Sequence, residues 1–426
     1  MPQSNIAIFK EKISAKIKEK GINYFFRRSS YIIFCHIAGL LAYPFCRLLN
    51  IKFLPVYTSA IGHSCVEPDC YVKEGILGLR PNYRTIVLAP RKKTANSHIF
   101  KYWKKYLTII TSPLACALLR PLAENRFTQH YLFNYLFTFT SRFPEIQRKY
   151  GNRPALLVLN EIDYQRGWLT LDGLGVPRDA WFVCIHCRED GYLGNVNQSM
   201  RNADIHNYFL AMDEIVKRGG WVIRMGDASM KPIPSQKRII DYANLPIKSD
   251  WMDVFLCASC KFFLGSNSGL GSLAAIFGIP SGNANYAPIS AVLPYGVKDV
   301  GMPKLIWSIK ETRYLTFKEI FASDISIVRL DFLYEQAGVK AIENSPEDIR
   351  ELVVEMFEKA QGTIVYSEDD ERLQMMFKSL MNSSHYSYGA PSRIGRDFLR
   401  KYEYLFSDID SRCIDQIKFE KESVKR

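Results

Sequence analysis

Nowhere does this chain of 426 residues carry the roughly 20 consecutive apolar residues that a simple membrane span needs. It has no Walker lysine loop and no GxSxG elbow, which argues against P-loop phosphotransfer and α/β-hydrolase chemistry. No internal repeat or low-complexity tract is present, so a solenoid or a disordered scaffold is excluded. The ten cysteines lack the short, dense spacing of a disulfide framework, and a reducing compartment is the default. Acidic residues are the scarce charge: 43 Asp and Glu stand against 56 Lys and Arg, a formal net charge of +13.

What remains is a globular composition, 47% hydrophobic and 23% charged, on a chain long enough for two domains and extensions. Lys10, Lys12, Lys16, Lys18, Lys20, Arg27 and Arg28 crowd the start, pointing to anionic lipid or nucleic acid. Tyr31 to Cys46, which follows, carries no formal charge. Nucleic acid would not require that; a membrane surface fits it. Its sixteen residues, interrupted by His36, Gly39 and Pro44, predict an in-plane or re-entrant anchor with the lysines on the cytoplasmic side. A buried helix with a solvated lysine face is the alternative reading. A signal peptide is disfavoured by the long charged segment ahead of the apolar run. The expected location is cytoplasmic, peripheral or monotopic at the inner face of the membrane.

Beyond this segment the pattern is α/β. Ile51 to Val56, Arg84 to Ala89, Leu107 to Thr111 and Ala155 to Leu159 read as strands, Ser59 to His63 as a loop, and Asn96 to Tyr106 as a helix. A linker follows at Leu171 to Asp179. Trp181 to His186 is a continuous apolar run suited to a central parallel strand. After it come helices over Tyr208 to Val216, Asp250 to Ala258 and Leu270 to Phe277. Strands at Trp221 to Met225, Arg238 to Tyr242 and Lys261 to Leu264 alternate with them, a doubly wound pattern. Past Ser308 the pattern turns mostly helical, with helices at Pro346 to Ala360, Asp370 to Met381 and Ile394 to Phe406. The expected domains are a membrane-associating segment 1–50, an acceptor-side Rossmann-like domain 51–175, a nucleotide-sugar domain 176–345, and a helical tail 346–426.

The chemistry should lie where parallel strands deliver their C-terminal loops to one edge. Gly265-Ser266-Asn267-Ser268-Gly269 links a strand to a helix. Its amides, the Ser266 and Ser268 hydroxyls and the helix dipole can hold a diphosphate, although a plain capped helix start has the same signature. His186 and Arg188 end the central strand; a guanidinium there can fork onto phosphate, or else pair with Glu189, Asp190 or Asp227. Arg224, inside an apolar strand, must be paired or liganded. Asp227 can accept from a sugar hydroxyl or close its own turn. Asp204 caps the next helix, and Arg201 and Asn202 can reach the cleft. In the first half His63, or a carboxylate such as Glu67, is the candidate base for an acceptor hydroxyl; a structural loop histidine is the alternative.

Three features are decoys. Cys184 with Cys187 and Cys257 with Cys260 mimic zinc knuckles, but one pair lies along a buried strand and the other ends a helix. Asp408-Ile409-Asp410 mimics a metal-diphosphate motif but follows a helix instead of a strand edge.

The blocks VCIHCREDGY, RNADIHNYFLAM, GGWVIRMGDASMKP, IDYAN, KSDWMDVFLCASCKFFLGSNSGL and FGIP, from Val183 onward, resemble a bacterial glycosyltransferase family found with surface-polysaccharide genes. The likeness extends more weakly to SAIGHSCVEP around His63 and SRIGRDFL at Ser392 to Leu399. The order of HxR, an aspartate-ended strand and an S/N-rich helix start also resembles fucosyltransferases of the GT-B type. That resemblance implies that His186, Arg188, Asp227 and Asn267 to Gly269 contact a nucleotide-sugar diphosphate. Glu189 stands where the fucosyltransferases have a second basic residue, so a guanine base is not implied. The expectation is a GT-B-like α/β enzyme of two Rossmann-like domains, moving a sugar from a nucleotide sugar to a glycan or lipid-linked acceptor, with no cofactor. No metal ligand is assigned, since backbone dipoles and Arg188 can stabilise the departing phosphate. A nucleotide-sugar epimerase of the same architecture and a non-catalytic sugar-nucleotide or glycan-binding protein are the alternatives.

Overall fold

In a computed structural model, residues 22–125, 127–129, 142–189, 196–291 and 296–406 are described. Lys10 to Lys20, Asp190 and Asp408-Ile409-Asp410 lie outside them. The chain divides into two compact units: Met1–Tyr57, Pro81–Thr94 and Trp103–Asn134 form the first, and Thr58–Arg80, Ala95–Tyr102 and Tyr135–Arg426 the second.

In the first unit the apolar segment is one helix, α1 (Ile22–Leu48, 27 residues), a continuous helix where a re-entrant turn had been one expectation. Pro44 sits inside it. β1 (Ile51–Phe53), β2 (Arg84–Leu88) and β3 (Thr108–Ile110) follow as a parallel sheet in the order β1-β2-β3. β2 reads RTIVL and buries Thr85 and Val87 on one face, the period-2 alternation of a half-covered strand.

The second unit carries a seven-stranded sheet. It joins β4 (Phe182–His186), β5 (Trp221–Arg224), β6 (Ile239–Ile240), β7 (Phe263–Gly265), β8 (Ser281–Tyr286), β9 (Val300–Pro303) and one late strand, Arg393–Ile394. All neighbours are parallel. From β4 the chain steps outward through β5 to β6, and with β7 it returns to the other side of β4. Strand order therefore reverses between β4 and β7, and such a reversal parts the crossover helices and leaves a crevice beyond the strands' carboxyl ends. The α/β class with parallel sheets expected from the alternating pattern is what the chain adopts.

Four helices place the site. α2 (Ile61–Ile76) packs on α5 (Gly269–Ile276), and α3 (Glu161–Asp172) on α4 (Asp250–Ser259). In the second pair Gly167 lets α3 lie directly on Phe255, and Trp168 meets the Phe182 and Phe255 rings edge-on at 5.9 and 6.2 Å. The late helices are part of the body: Pro346–Gln361 packs on β8 and the helix Phe209–Lys217, and its Leu352, Val353 and Met356 join the main core.

Several local expectations are corrected. Ser59 to His63 is not a loop throughout: α2 starts at Ile61, and Pro68 is buried within it. Helix burial there outweighs the breaker residues that suggested a loop. Ala155 to Leu159 forms no strand; Leu156 and Leu157 are buried in irregular chain leading to α3, whose cap is Asn160. Arg238 to Tyr242 shrinks to the two residues of β6, and Ile394 to Phe406 splits into a strand end, the helix Arg396–Lys401 and a short turn. β8, SGNANY, is buried at every position and went unread. One of its asparagines is satisfied within the protein: Asn285 and Asn344 exchange backbone-to-side-chain hydrogen bonds at 2.7 and 2.6 Å.

Candidate functional site

β4 and β7 meet at the strand-order reversal with His186 paired to Gly265. The Ser266 amide donates to the His186 carbonyl oxygen at 3.1 Å. In return the Arg188 amide donates to Ser266 Oγ at 3.1 Å. A side chain at Gly265 would collide with the His186 backbone, which is why the turn begins with glycine. Ser268 caps α5, accepting from the Gly271 amide at 3.3 Å. The serine-rich turn is thus both a helix cap and the partner of the HxR segment.

Three arginines gather here. Arg201 donates through Nη2 to the Asn267 carbonyl oxygen at 2.9 Å and through Nη1 to Gln198 Oε1 at 2.8 Å. Arg188 Nη1 reaches the same Gln198 oxygen at 3.5 Å. Both acceptors are neutral, and no carboxylate ion-pairs with Arg201 among the described residues. Burial, then the charges of Arg188 and Arg329, push the Arg201 guanidinium down to about 9. It remains a cation at neutral pH, held beside two others at an electrostatic cost that an anion would relieve. Arg329 lies 4.3 Å over the Tyr386 ring.

Two buried polar atoms face this region without a hydrogen bond in the protein: His186 Nδ1 and Asn267 Oδ1. Buried polar atoms are normally paired, and their coincidence with three arginines at a strand-order reversal makes this the candidate site for a polar ligand. Burial, then the charge of Arg224, lower the His186 imidazole from 6.5 to about 4, so it is neutral at physiological pH.

The other candidates divide. Arg224 is committed to the protein: Nη2 pairs with Glu189 at 2.5 Å, and Nη1 with Asp241 at 2.9 Å and the Lys231 carbonyl at 3.0 Å. The ligand-binding reading of Arg224 gives way to the paired one, because Glu189 and Asp241 satisfy a cation that the apolar strand could not hold alone. This also removes Glu189 as the partner of Arg188. Asp227 accepts from the Ser229 amide at 2.8 Å and hydroxyl at 2.5 Å, closing its own turn.

α2 brings the first-half candidates to this edge. A methyl group added at Gly62 would lie 3.3 Å from the Gly269 Cα, so the turn holding His63 touches the serine-rich turn. His63 Nδ1 is 2.5 Å from Glu67 Oε1, one helical turn on. Glu67 is fully buried while His63 keeps partial exposure. Glu67, out of solvent contact and one helical turn on, is placed to hold the His63 ring, and His63 is the more accessible of the two. With Nδ1–H donated to Glu67, Nε2 is the basic nitrogen.

Arg329, Gln198 and Tyr386 were not singled out from the sequence; they lie in irregular segments with no local signature. All four cysteines of the two pairs are buried, and desolvation raises the thiols of Cys184, Cys187 and Cys257. Cys184 donates to the Leu256 carbonyl at 3.4 Å, and no metal-ligating group of three occurs among the described residues.

No family model and no curated protein matches the chain. Among solved structures, it is similar to E. coli ADP-heptose lps heptosyltransferase II, at 12% identity and a TM-score of 0.38 over 55% of this chain and 84% of that one. The glycosyl transferase family 9 from Veillonella parvula DSM 2008 is similar at 13% identity, TM-score 0.26, over 50% and 60%. Spinosyn forosaminyltransferase SpnP is similar at 12% identity, TM-score 0.29, over 84% and 99%. At such scores the activities of those proteins are not carried to this chain.

Proposed function

We propose that the second unit is a glycosyltransferase that binds a nucleotide-sugar diphosphate on Arg188, Arg201 and Arg329 and uses His63 as its base. One observation carries the reading: Arg201, buried and disfavoured as a cation by the nearby charges of Arg188 and Arg329, meets buried polar atoms of His186 and Asn267 that lack a hydrogen bond among the described residues, at the strand-order reversal and one turn from a His–Glu pair. A diphosphate offsets the repulsion, accepts the fork-shaped donors and also accepts from the amides at the start of α5.

In the proposed reaction the acceptor hydroxyl gives its proton to His63 Nε2 as its oxygen bonds to the anomeric carbon. The bond from that carbon to the diphosphate oxygen breaks, and the electron pair leaves with the nucleotide diphosphate, whose charge the arginines neutralise. Glu67 holds the imidazole and stabilises its protonated form. The acceptor is a glycan or lipid-linked sugar, and α1 keeps the protein at the membrane where such acceptors lie.

The test is thermal stabilisation of the purified protein by GDP, UDP, CMP, dTDP and ADP, followed by transfer from the matching nucleotide sugar. Stabilisation by one base series and its loss in Arg201→Met support the reading. Indifference to all five nucleotides and to pyrophosphate would reject it.

A further inference from the structure

The first unit is chemically lopsided. Its described residues include eleven Lys or Arg and one carboxylate, Glu124, and Glu124 is already paired with Arg120. Among the described residues α1 packs along a narrow stripe: Cys35 and Gly39 are buried, the Asn125 amide donates to the Cys35 carbonyl at 2.7 Å, and the Tyr43 ring lies 6.1 Å from Phe127. These positions recur every four residues and trace a single seam.

Away from this seam, the described residues between Ser30 and Arg47 are apolar except for His36, and most are exposed. Phe26, Ile33, Phe34, Ile37, Leu41 and Phe45 are all more than half exposed. The charged residues of the helix, Arg27, Arg28 and Arg47, lie near its ends, and it has no acidic residue. A helix lying in the interfacial plane keeps a polar face toward water. Along its middle this one has only His36, whose Nδ1 is bonded to the Ile32 carbonyl at 2.8 Å, and 27 residues at about 1.5 Å each are long enough to cross a bilayer's hydrocarbon core of roughly 30 Å.

Against α1 packs a second, shorter helix, Pro113–Ala123. Its sequence PLACALLRPLA places Leu114 and Leu118 one turn apart, each 70% exposed. Leucines so exposed beside an apolar helix extend its uncovered surface. We propose that the helix Pro113–Ala123 is a second membrane-inserting element, entering with α1 a bilayer whose anionic headgroups meet the basic excess of this unit. Lipid suits the surface better than a second protein copy, because the apolar face is bordered by cations of one sign. The inference rests on α1 being membrane-associated, and the test separates the two.

The test is flotation of the full-length protein with phosphatidylcholine vesicles containing phosphatidylglycerol. Wild type should float, and Leu114→Asp/Leu118→Asp should lower partitioning about a hundredfold, since each of the two leucines gives up a burial worth about one decade. Leu169→Asp, which alters a comparably exposed leucine of the second unit, should float like wild type. If wild type stays with the soluble fraction, both the α1 reading and this inference fall. If the double variant floats as wild type does, or Leu169→Asp is equally impaired, only the second helix is rejected. Light scattering that shows a lipid-free dimer broken by the double variant would overturn it in favour of a second copy.

Discussion

Arg201 donates to the main-chain oxygen of Asn267 across 2.9 Å, tying the loop after β4 to the turn before α5. The bond commits one donor to a neutral oxygen, while the charges of Arg188 and Arg329 disfavour the Arg201 cation. Arg201→Met should therefore weaken nucleotide-diphosphate binding by about ten- to a hundredfold, the worth of one or two charge-assisted hydrogen bonds. The unliganded variant should lose no more than about 4 °C in Tm, the equivalent of roughly 1 kcal/mol. Calorimetric titration and thermal denaturation check the pair of results; unaltered affinity removes Arg201 from the site.

His63 and Glu67 should separate kinetically. His63→Ala removes the base and should lower kcat by about 10²- to 10⁴-fold. Glu67→Gln keeps the shape but loses the charge that steadies the imidazolium, so kcat should fall less, with donor KM unchanged. Steady-state kinetics across pH decide this. A Glu67→Gln enzyme with raised donor KM and intact kcat would contradict the assignment.

Arg224 should matter to stability first. Arg224→Met leaves the carboxylates of Glu189 and Asp241 without their shared cation, a cost of about 3–5 kcal/mol for a broken buried pair. Urea denaturation should show it. Full stability with loss of nucleotide binding alone would return Arg224 to the ligand.

His186 predicts an acid-side stability loss. Its imidazole titrates near 4 when folded, against 6.5 ordinarily. Between those values the unfolded chain binds a proton that the folded chain refuses, so stability is full above about pH 6.5 and declines as pH falls toward 4. The integrated contribution is roughly 3 kcal/mol. His186→Asn should flatten this part of the profile in denaturant midpoints taken from pH 7 to 4; an unchanged slope would place the dependence elsewhere.

Close helix approach should make Gly269 intolerant. A methyl group there would strike the Ile61 side chain and come within 2.8 Å of the Gly62 nitrogen. Gly269→Ala should cost about 1–3 kcal/mol as an overpacking change and depress transfer by shifting α2. Gly271→Ala, whose nearest contact would be 3.4 Å from Phe263, should be tolerated. Equal behaviour of the two in melting and activity assays would remove this argument.

Elements with strong periodicity were legible in advance. β4 and β5 are apolar runs, α4 and the helix Pro346–Gln361 follow helical spacing, and the Asp204 cap is present, accepting from the His206 amide at 2.9 Å. β8 was not legible, because SGNANY has turn composition and is a strand only through buried pairing with β7 and β9. The HxR segment and the serine-rich turn could be named beforehand because chain order alone brings them to strand ends. Glu67 could not be told from a direct base, since its spacing from His63 is local but its burial under the helix packing is not.

Residue order by itself determined the α/β class, the run of strands and helices from Trp181 onward, the uncharged stretch inside α1 and the residues to be weighed for chemistry, since periodicity, capping and charge are properties of neighbours along the chain. Tertiary structure alone decided that Arg224 is satisfied by Glu189 and Asp241, that Arg188, Arg201 and Arg329 share one locality, and that Gly62 touches Gly269. Those relations join residues from 13 positions apart, as in Arg188 and Arg201, to 207 apart, as in Gly62 and Gly269, and charge compensation in a folded protein depends on distance through space.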